Sequence, residues 1–162
     1  MNSSGLQSFL RQTNSRLRFN FFLLLKLPAA FICGVRLQEV TEHQAVATVP
    51  YRWISQNPFR SIYFACLAMA AELSTGILAM AHLYQRNPKV SMLVVHLEAD
   101  FIKKGTELVS FTCEDGDGFR SAIEETTRTG EPVVFTAHST GRNRNGDIVS
   151  SFKITWSFKV KA

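Results

Sequence analysis

The chain has 162 residues, 46% of them apolar and 19% charged, which is enough length and hydrocarbon to enclose a core and too apolar for a disordered segment. Its three cysteines, Cys33, Cys66 and Cys113, are odd in number and lack any C-x-x-C spacing. That pattern argues against a disulfide scaffold or a metal site and for reduced thiols in a cytoplasmic protein. The net charge of +5 is uneven: residues 1–60 hold seven Lys/Arg against two Asp/Glu, and residues 61–162 hold eleven of each. No helix-turn-helix, zinc or RNA-recognition signature accompanies that charge, so nucleic acid is not an expected partner.

At the N-terminus Arg11, Arg16 and Arg18 precede Phe21 to Leu25, in imitation of a signal peptide. Asn20 and Lys26 limit the apolar run to five residues, short of the roughly 7–15 of an exported sequence. Leu6, Phe9, Leu10, Thr13, Leu17, Phe21 and Leu24 instead fall at helical spacing, which predicts one amphipathic helix ending before Pro28. Its basic residues read as a solvated face, with contact to an anionic membrane surface or an acidic partner as the other reading. Two strands are expected next, Phe31–Leu37 and Gln44–Tyr51, the second with Ala45, Ala47, Val49 and Tyr51 on one face.

Residues 61–85 then carry a single formal charge, Glu72, in an Ala- and Met-rich stretch. The length suits a membrane span, but a mid-bilayer acid costs about 2.5–3.5 kcal/mol, and Ser74, Thr75 and Gly76 follow it directly. Strong helix formers with apolar residues on every side predict a helix buried inside the protein and no integral membrane segment. The helix is expected to start at Asn57-Pro58, with Ser61 as candidate cap, and to stop at Asn87-Pro88.

Downstream the period changes to two. Strands are expected at Val90–Phe101, Leu108–Cys113, Val133–Ser139 and Ile148–Val160, the last carrying Phe152, Ile154, Trp156 and Phe158 on one face. Gly105 suits a turn. Asn145-Gly146 is a hairpin signal, because a two-residue turn of that kind needs positive φ at both positions. Phe119, Ala122, Ile123 and Thr126 favour a short helix over Phe119–Thr129, ending at Gly130. No linker or repeat divides the chain, so one domain over residues 1–162 is expected: an α+β architecture with one antiparallel sheet wrapped around one apolar helix.

That element order, with Asn57 in the loop before the long helix, Glu72 about two turns in, Gly76 four residues later and Phe101-Ile102-Lys103-Lys104-Gly105 at a strand end, resembles the hot-dog fold. The likeness is to its acyl-CoA thioesterase-like branch, over roughly Pro28 to Lys161. Within it the Asn-Pro-Phe entry and the Ala-Glu-x-x-x-Gly helix are most similar to a branch without assigned function. The resemblance implies hydrolysis of acyl-CoA or acyl-carrier-protein thioesters by a homodimer or a tetramer, with coenzyme A present as part of the substrate and no separate cofactor or metal. It gives Glu72 the role of base or nucleophile and Asn57 that of holding the water or carbonyl. The backbone amides of Phe64 or Ala65 form the oxyanion hole, and the acid and those amides come from opposite subunits. Relatives that are enzymes commonly carry His-Gly-Gly where this chain has Tyr63-Phe64-Ala65. Tyr63 then stands in as hydrogen-bond donor and Thr75 orients the acid. Gly76 lies along the acyl path. Lys103, Lys104, Arg142 and Arg144 are the loop cations that would hold the phosphates of coenzyme A.

Each residue also has a plainer reading. Glu72 suits a buried carboxylate held by hydroxyl groups, Asn57 a turn residue before proline, Tyr63 core packing, and the two lysines a solvated loop. A non-catalytic acyl-binding dimer is the runner-up function, favoured by the missing His-Gly-Gly. A hydroxyacyl dehydratase needs a histidine paired with the acid, and none of His43, His82, His96 and His138 lies in the entry.

Overall fold

Residues with alternating apolar side chains pair into a six-stranded antiparallel sheet, and the apolar helix lies across it. A computed structural model describes residues 3–161. Helices α1 (Ser3–Thr13), α2 (Arg16–Lys26) and α3 (Pro28–Ile32) come first, then strands β1 (Arg36–Val40) and β2 (Ala45–Val49) and a short 3-10 turn, Trp53–Ser55. Helix α4 (Phe64–Leu83) is followed by β3 (Val90–Phe101), β4 (Val109–Cys113), α5 (Gly116–Thr129), β5 (Val133–Arg142) and β6 (Ile148–Val160). Across the sheet the order is β1-β2-β4-β5-β6-β3, and every pairing is antiparallel.

The period-two positions become the inner face. Ala45, Ala47 and Val49 of β2, Val109 and Phe111 of β4, Ala137 of β5, and Phe152, Ile154, Trp156 and Phe158 of β6 are buried against α4. Helix α4 is long and apolar enough to cross a membrane, yet most of it is buried in the protein. This is the α+β arrangement of sheet and central helix that the sequence predicts. Strand β3 ends the sheet and keeps an unpaired edge twelve residues long, with Leu93, Val95, Leu97 and Phe101 exposed.

Several boundaries differ from expectation for identifiable reasons. The N-terminal helix is two helices, because Asn14 turns to the end of β1, donating to Val40 O at 2.9 Å and accepting from Val40 N at 3.1 Å. Pro28 starts α3 instead of ending a helix, at the first-turn position where a missing N–H is harmless, so β1 begins at Arg36 and not at Phe31. Ser61 does not cap α4. The loop ties Ser61 to Asn57, and Tyr63 precedes the helix without a side-chain cap. The β5–β6 hairpin has positive φ at Gly146 alone and not at Asn145. Gly146 N donates to Asn143 O at 3.1 Å and Asn143 N to Asp147 O at 3.0 Å, a longer loop closed by one left-handed glycine. Helix α5 begins three residues earlier than predicted, and Gly130, at φ 78°, caps it by donating to Thr126 O.

Candidate active site at the mouth of helix α4

Two backbone amides are left open where α4 begins. Cys66 N and Leu67 N both donate to Tyr63 O, at 2.9 and 3.3 Å, whereas Phe64 N and Ala65 N donate to nothing among the described residues. The first amides of a helix have no partner within it, and the helix dipole adds partial positive charge there. The segment before them is fixed from three sides: Tyr63 N donates to Ser55 O at 2.8 Å, Ile62 N to Gly105 O at 2.7 Å, and Gln56 pairs with Ile62. The open amides are therefore held in place before any ligand arrives.

Beside this helix start lies a cavity of about 660 Å³ whose wall includes Phe59, Tyr63, Phe64, Leu67, Phe101 and Ile102 but not Ala65. Phe64 does not plug it: its ring is 55% exposed, set edge-on to Tyr63 and Phe101 with centroids 4.8 and 6.3 Å away. Lys103 and Lys104 line the same cavity. Lys103 pairs with Asp147, and Lys104 Nζ donates to Phe59 O at 3.3 Å, so both cations are anchored at the rim. Among the described residues no group of three or more His, Cys, Asp or Glu side chains could hold a metal ion.

Asn57 also lines this cavity, but its side chain is committed to its own loop. Oδ1 accepts from Phe59 N, Ser61 N and Ser61 Oγ at 3.0–3.2 Å, and Nδ2 donates to Ser61 Oγ at 3.1 Å and Ile62 O at 3.4 Å. Both amide hydrogens, which would hold a water or a carbonyl, are thus engaged within the loop in this structure. Tyr63, 45% exposed, has its ring at the mouth.

Glu72 lies elsewhere on the helix. Eight residues separate it from Phe64, which at 1.5 Å per residue is about 12 Å along the axis. The entry cavity does not include it. Its carboxyl is partly buried, makes no hydrogen bond or ion pair among the described residues, and lies over Gly76. A Cβ at Gly76 would meet Glu72 Oε1 at 3.3 Å and the Trp156 ring edge at 3.2 Å. Burial pushes the Glu72 carboxyl above the ordinary carboxylate range. Thr75 does not orient that carboxyl, contrary to expectation: its buried hydroxyl donates to Glu72 O, the backbone carbonyl, at 3.1 Å and accepts from Trp156 Nε1 at 3.2 Å. Thr75 thus lies in packing and away from the entry cavity. Trp156 was legible as an inner-face residue of β6, but nothing in its spacing announced its hydrogen bond to Thr75 or its closeness to Gly76.

The chain therefore carries open amides beside an apolar cavity, and, two turns away, an unpartnered carboxyl of raised pKa. No curated protein matches the chain by sequence. Similar folds occur among solved structures. A Pseudomonas aeruginosa protein described as of unknown function and "Probable Thioesterase" has a TM-score of 0.76 at 15% identity, over 90% of this chain and 96% of that one. A Chlorobaculum tepidum protein of unknown function has a TM-score of 0.78 at 12% identity, over 95% and 99%. A second Pseudomonas aeruginosa protein, a thioesterase solved as a mutant, has a TM-score of 0.67 at 15% identity, over 94% and 99%. At these identities the likeness establishes the fold, and the fold is the hot dog. The family model described as Domain of unknown function (DUF4442) matches residues 15–158, nearly the whole chain, and the chain belongs to that family.

Proposed function

We propose that the protein hydrolyses acyl thioesters of coenzyme A or of an acyl carrier protein, as a homodimer in the cytoplasm. The observation that carries this reading is the pair of open amides at Phe64 and Ala65 beside a mostly apolar cavity rimmed by Lys103 and Lys104. A thioester oxygen held 2.7–3.1 Å from such amides gains charge in the transition state, where preorganised donors act most strongly. The acyl group takes the aromatic wall, and the lysines take the phosphates of the thiol carrier.

The acid is Glu72. Its raised pKa makes the carboxylate a stronger base near neutral pH. It removes a proton from water as the water oxygen bonds to the carbonyl carbon; the carbon–sulfur bond then breaks, and the sulfur leaves as thiol with that proton. An acid about 12 Å along the helix from its own amides cannot share a reacting carbon with them, since both must come within about 3 Å. A second copy resolves this: the entry of one subunit meets Glu72 of the other. Dimerisation through β3 agrees with its long, apolar, unpaired edge, which a lone subunit would leave open to pairing.

The test is hydrolysis of short, medium, long and aromatic acyl-CoAs by wild type, Glu72→Gln and Glu72→Ala. Turnover by wild type with loss of about 100-fold or more in both variants is expected for a general base. Unchanged turnover in the variants removes Glu72 from the mechanism. Acyl-CoA binding without turnover assigns the protein to the non-catalytic reading, which the exposed Phe64 ring in place of a glycine favours.

A further inference from the structure

Helix α2 is apolar on two opposite sides. At about 100° per residue, Phe19, Phe22 and Leu23 share one arc, and Leu17, Phe21, Leu24 and Leu25 share another roughly 100° wide. The first arc is turned to the core, with Phe19 and Leu23 buried. The second is turned outward: Leu17 is 86% exposed, Phe21 62% and Leu25 60%. Arg18 falls about 20° beyond Leu25 at one border of the exposed arc, Arg16 lies about 80° beyond Leu24 on the other side with Asn20 between them, and Leu27 and Ile32, past the helix end, are exposed as well.

The charge around this surface has one sign. Residues 1–38 contain Arg11, Arg16, Arg18, Lys26 and Arg36 and no acidic residue, Glu39 being the first, so they hold the whole formal excess of +5. Arg36 is engaged with Phe31 O and Val35 O. Arg11, Arg16, Arg18 and Lys26 are exposed and make no ion pair among the described residues.

We propose that the outer face of α2 docks the protein peripherally on an anionic lipid bilayer, with Leu17, Phe21, Leu24 and Leu25 entering the headgroup–acyl boundary and the long side chains of Arg16 and Arg18 reaching lipid phosphates. A helix with a basic border and an apolar stripe lies in the plane of such an interface. A second copy does not fit the face, because a twofold contact would bring the same cations together. Nor would a β3-edge dimer cover it: α2 packs on α1, α3 and β1, at the opposite end of the sheet from β3. The inference is independent of the thioesterase reading.

The test is co-sedimentation of the full chain with vesicles of phosphatidylcholine alone and of phosphatidylcholine mixed with phosphatidylglycerol, at low and high salt. Binding to the anionic vesicles that weakens with salt is expected. Arg16→Gln/Arg18→Gln is expected to lower partitioning about 25-fold, at roughly fivefold per cation. Leu17→Asn/Phe21→Asn/Leu25→Asn is expected to reduce it to the phosphatidylcholine level with Tm unchanged. Equal binding to both vesicles, or full binding by the triple variant, overturns the proposal. So does a wild type that elutes as a larger oligomer which the triple variant breaks up, since that assigns the face to a protein contact.

Discussion

The Oε1 atom of Glu72 lies 3.3 Å from the point where a Cβ on Gly76 would stand, and the Trp156 ring edge lies 3.2 Å from the same point. The carboxyl has its present position because residue 76 has no side chain. Gly76→Ala gains about 1 kcal/mol of helix propensity and loses about 1–3 kcal/mol to overpacking against a buried ring. A net loss near 1 kcal/mol is expected, lowering Tm by about 2–4 °C. Thioester turnover is expected to fall by at least tenfold, because the base moves. Thermal melts and kinetics on the same preparation separate the two effects, and a more stable, fully active variant would refute the close approach.

Glu72 also predicts a pH signature. Desolvation raises its pKa above the ordinary 4.5, so between those two values the folded chain binds the proton that the unfolded chain releases. The stability from this group is fully present below 4.5 and is lost as pH rises through the folded pKa. Glu72→Gln removes the buried charge, so its Tm is expected to exceed that of wild type at pH 8, with the gap closing as pH approaches 4.5. A gap that does not vary with pH would show that the carboxyl is not desolvated.

Thr75 supplies the acceptor for Trp156 Nε1 inside the core. Thr75→Val keeps the shape and orphans that donor, at a cost of about 1–3 kcal/mol. Thr75→Ser keeps the hydroxyl and is expected to retain the hydrogen bond and wild-type kcat. Loss of kcat in Thr75→Ser without a change in Tm would return Thr75 to the chemistry.

The cysteines give a check on packing. Burial pushes the Cys113 thiol up to about 12. Burial, with a hydrogen bond to Cys33, raises Cys66 to about 12 as well. At pH 8 the native protein is expected to take up a thiol reagent at Cys33 alone, the one thiol that is not buried, and all three residues are expected to react in denaturant. Mass spectrometry after brief alkylation reads this directly, and rapid native modification of Cys113 would contradict the packing of β4.

The sheet and central helix were legible because their signals are local and repeated. Phe152, Ile154, Trp156 and Phe158 alternate over one strand, and the helix around Glu72 has no polar side. What escaped was set by contacts between distant residues. Asn14 breaks the N-terminal helix by reaching β1, and neither neighbour in sequence hints at it. Asn57 and Ser61 looked like a site residue and a helix cap, yet they bind each other and move the start of α4 to Phe64. The acid could be picked out by its isolation, but its distance from the open amides follows only once the helix start is fixed.

The sharing of one site between two subunits is tested most directly by complementation. Phe64→Pro removes one open amide at the first helical position, where proline is well tolerated after the extended backbone of Tyr63, and is expected to lower turnover by about 10²–10³. Phe64→Leu, which keeps the amide, serves as the control for loss of the ring. Each of Glu72→Ala and Phe64→Pro is inactive alone, and a mixed dimer restores one intact Glu72 opposite one intact entry. Co-expression of the two variants is predicted to recover about one quarter of wild-type turnover, the statistical yield for random pairing in a twofold dimer. No recovery from mixed dimers of demonstrated composition would contradict a site built across the interface.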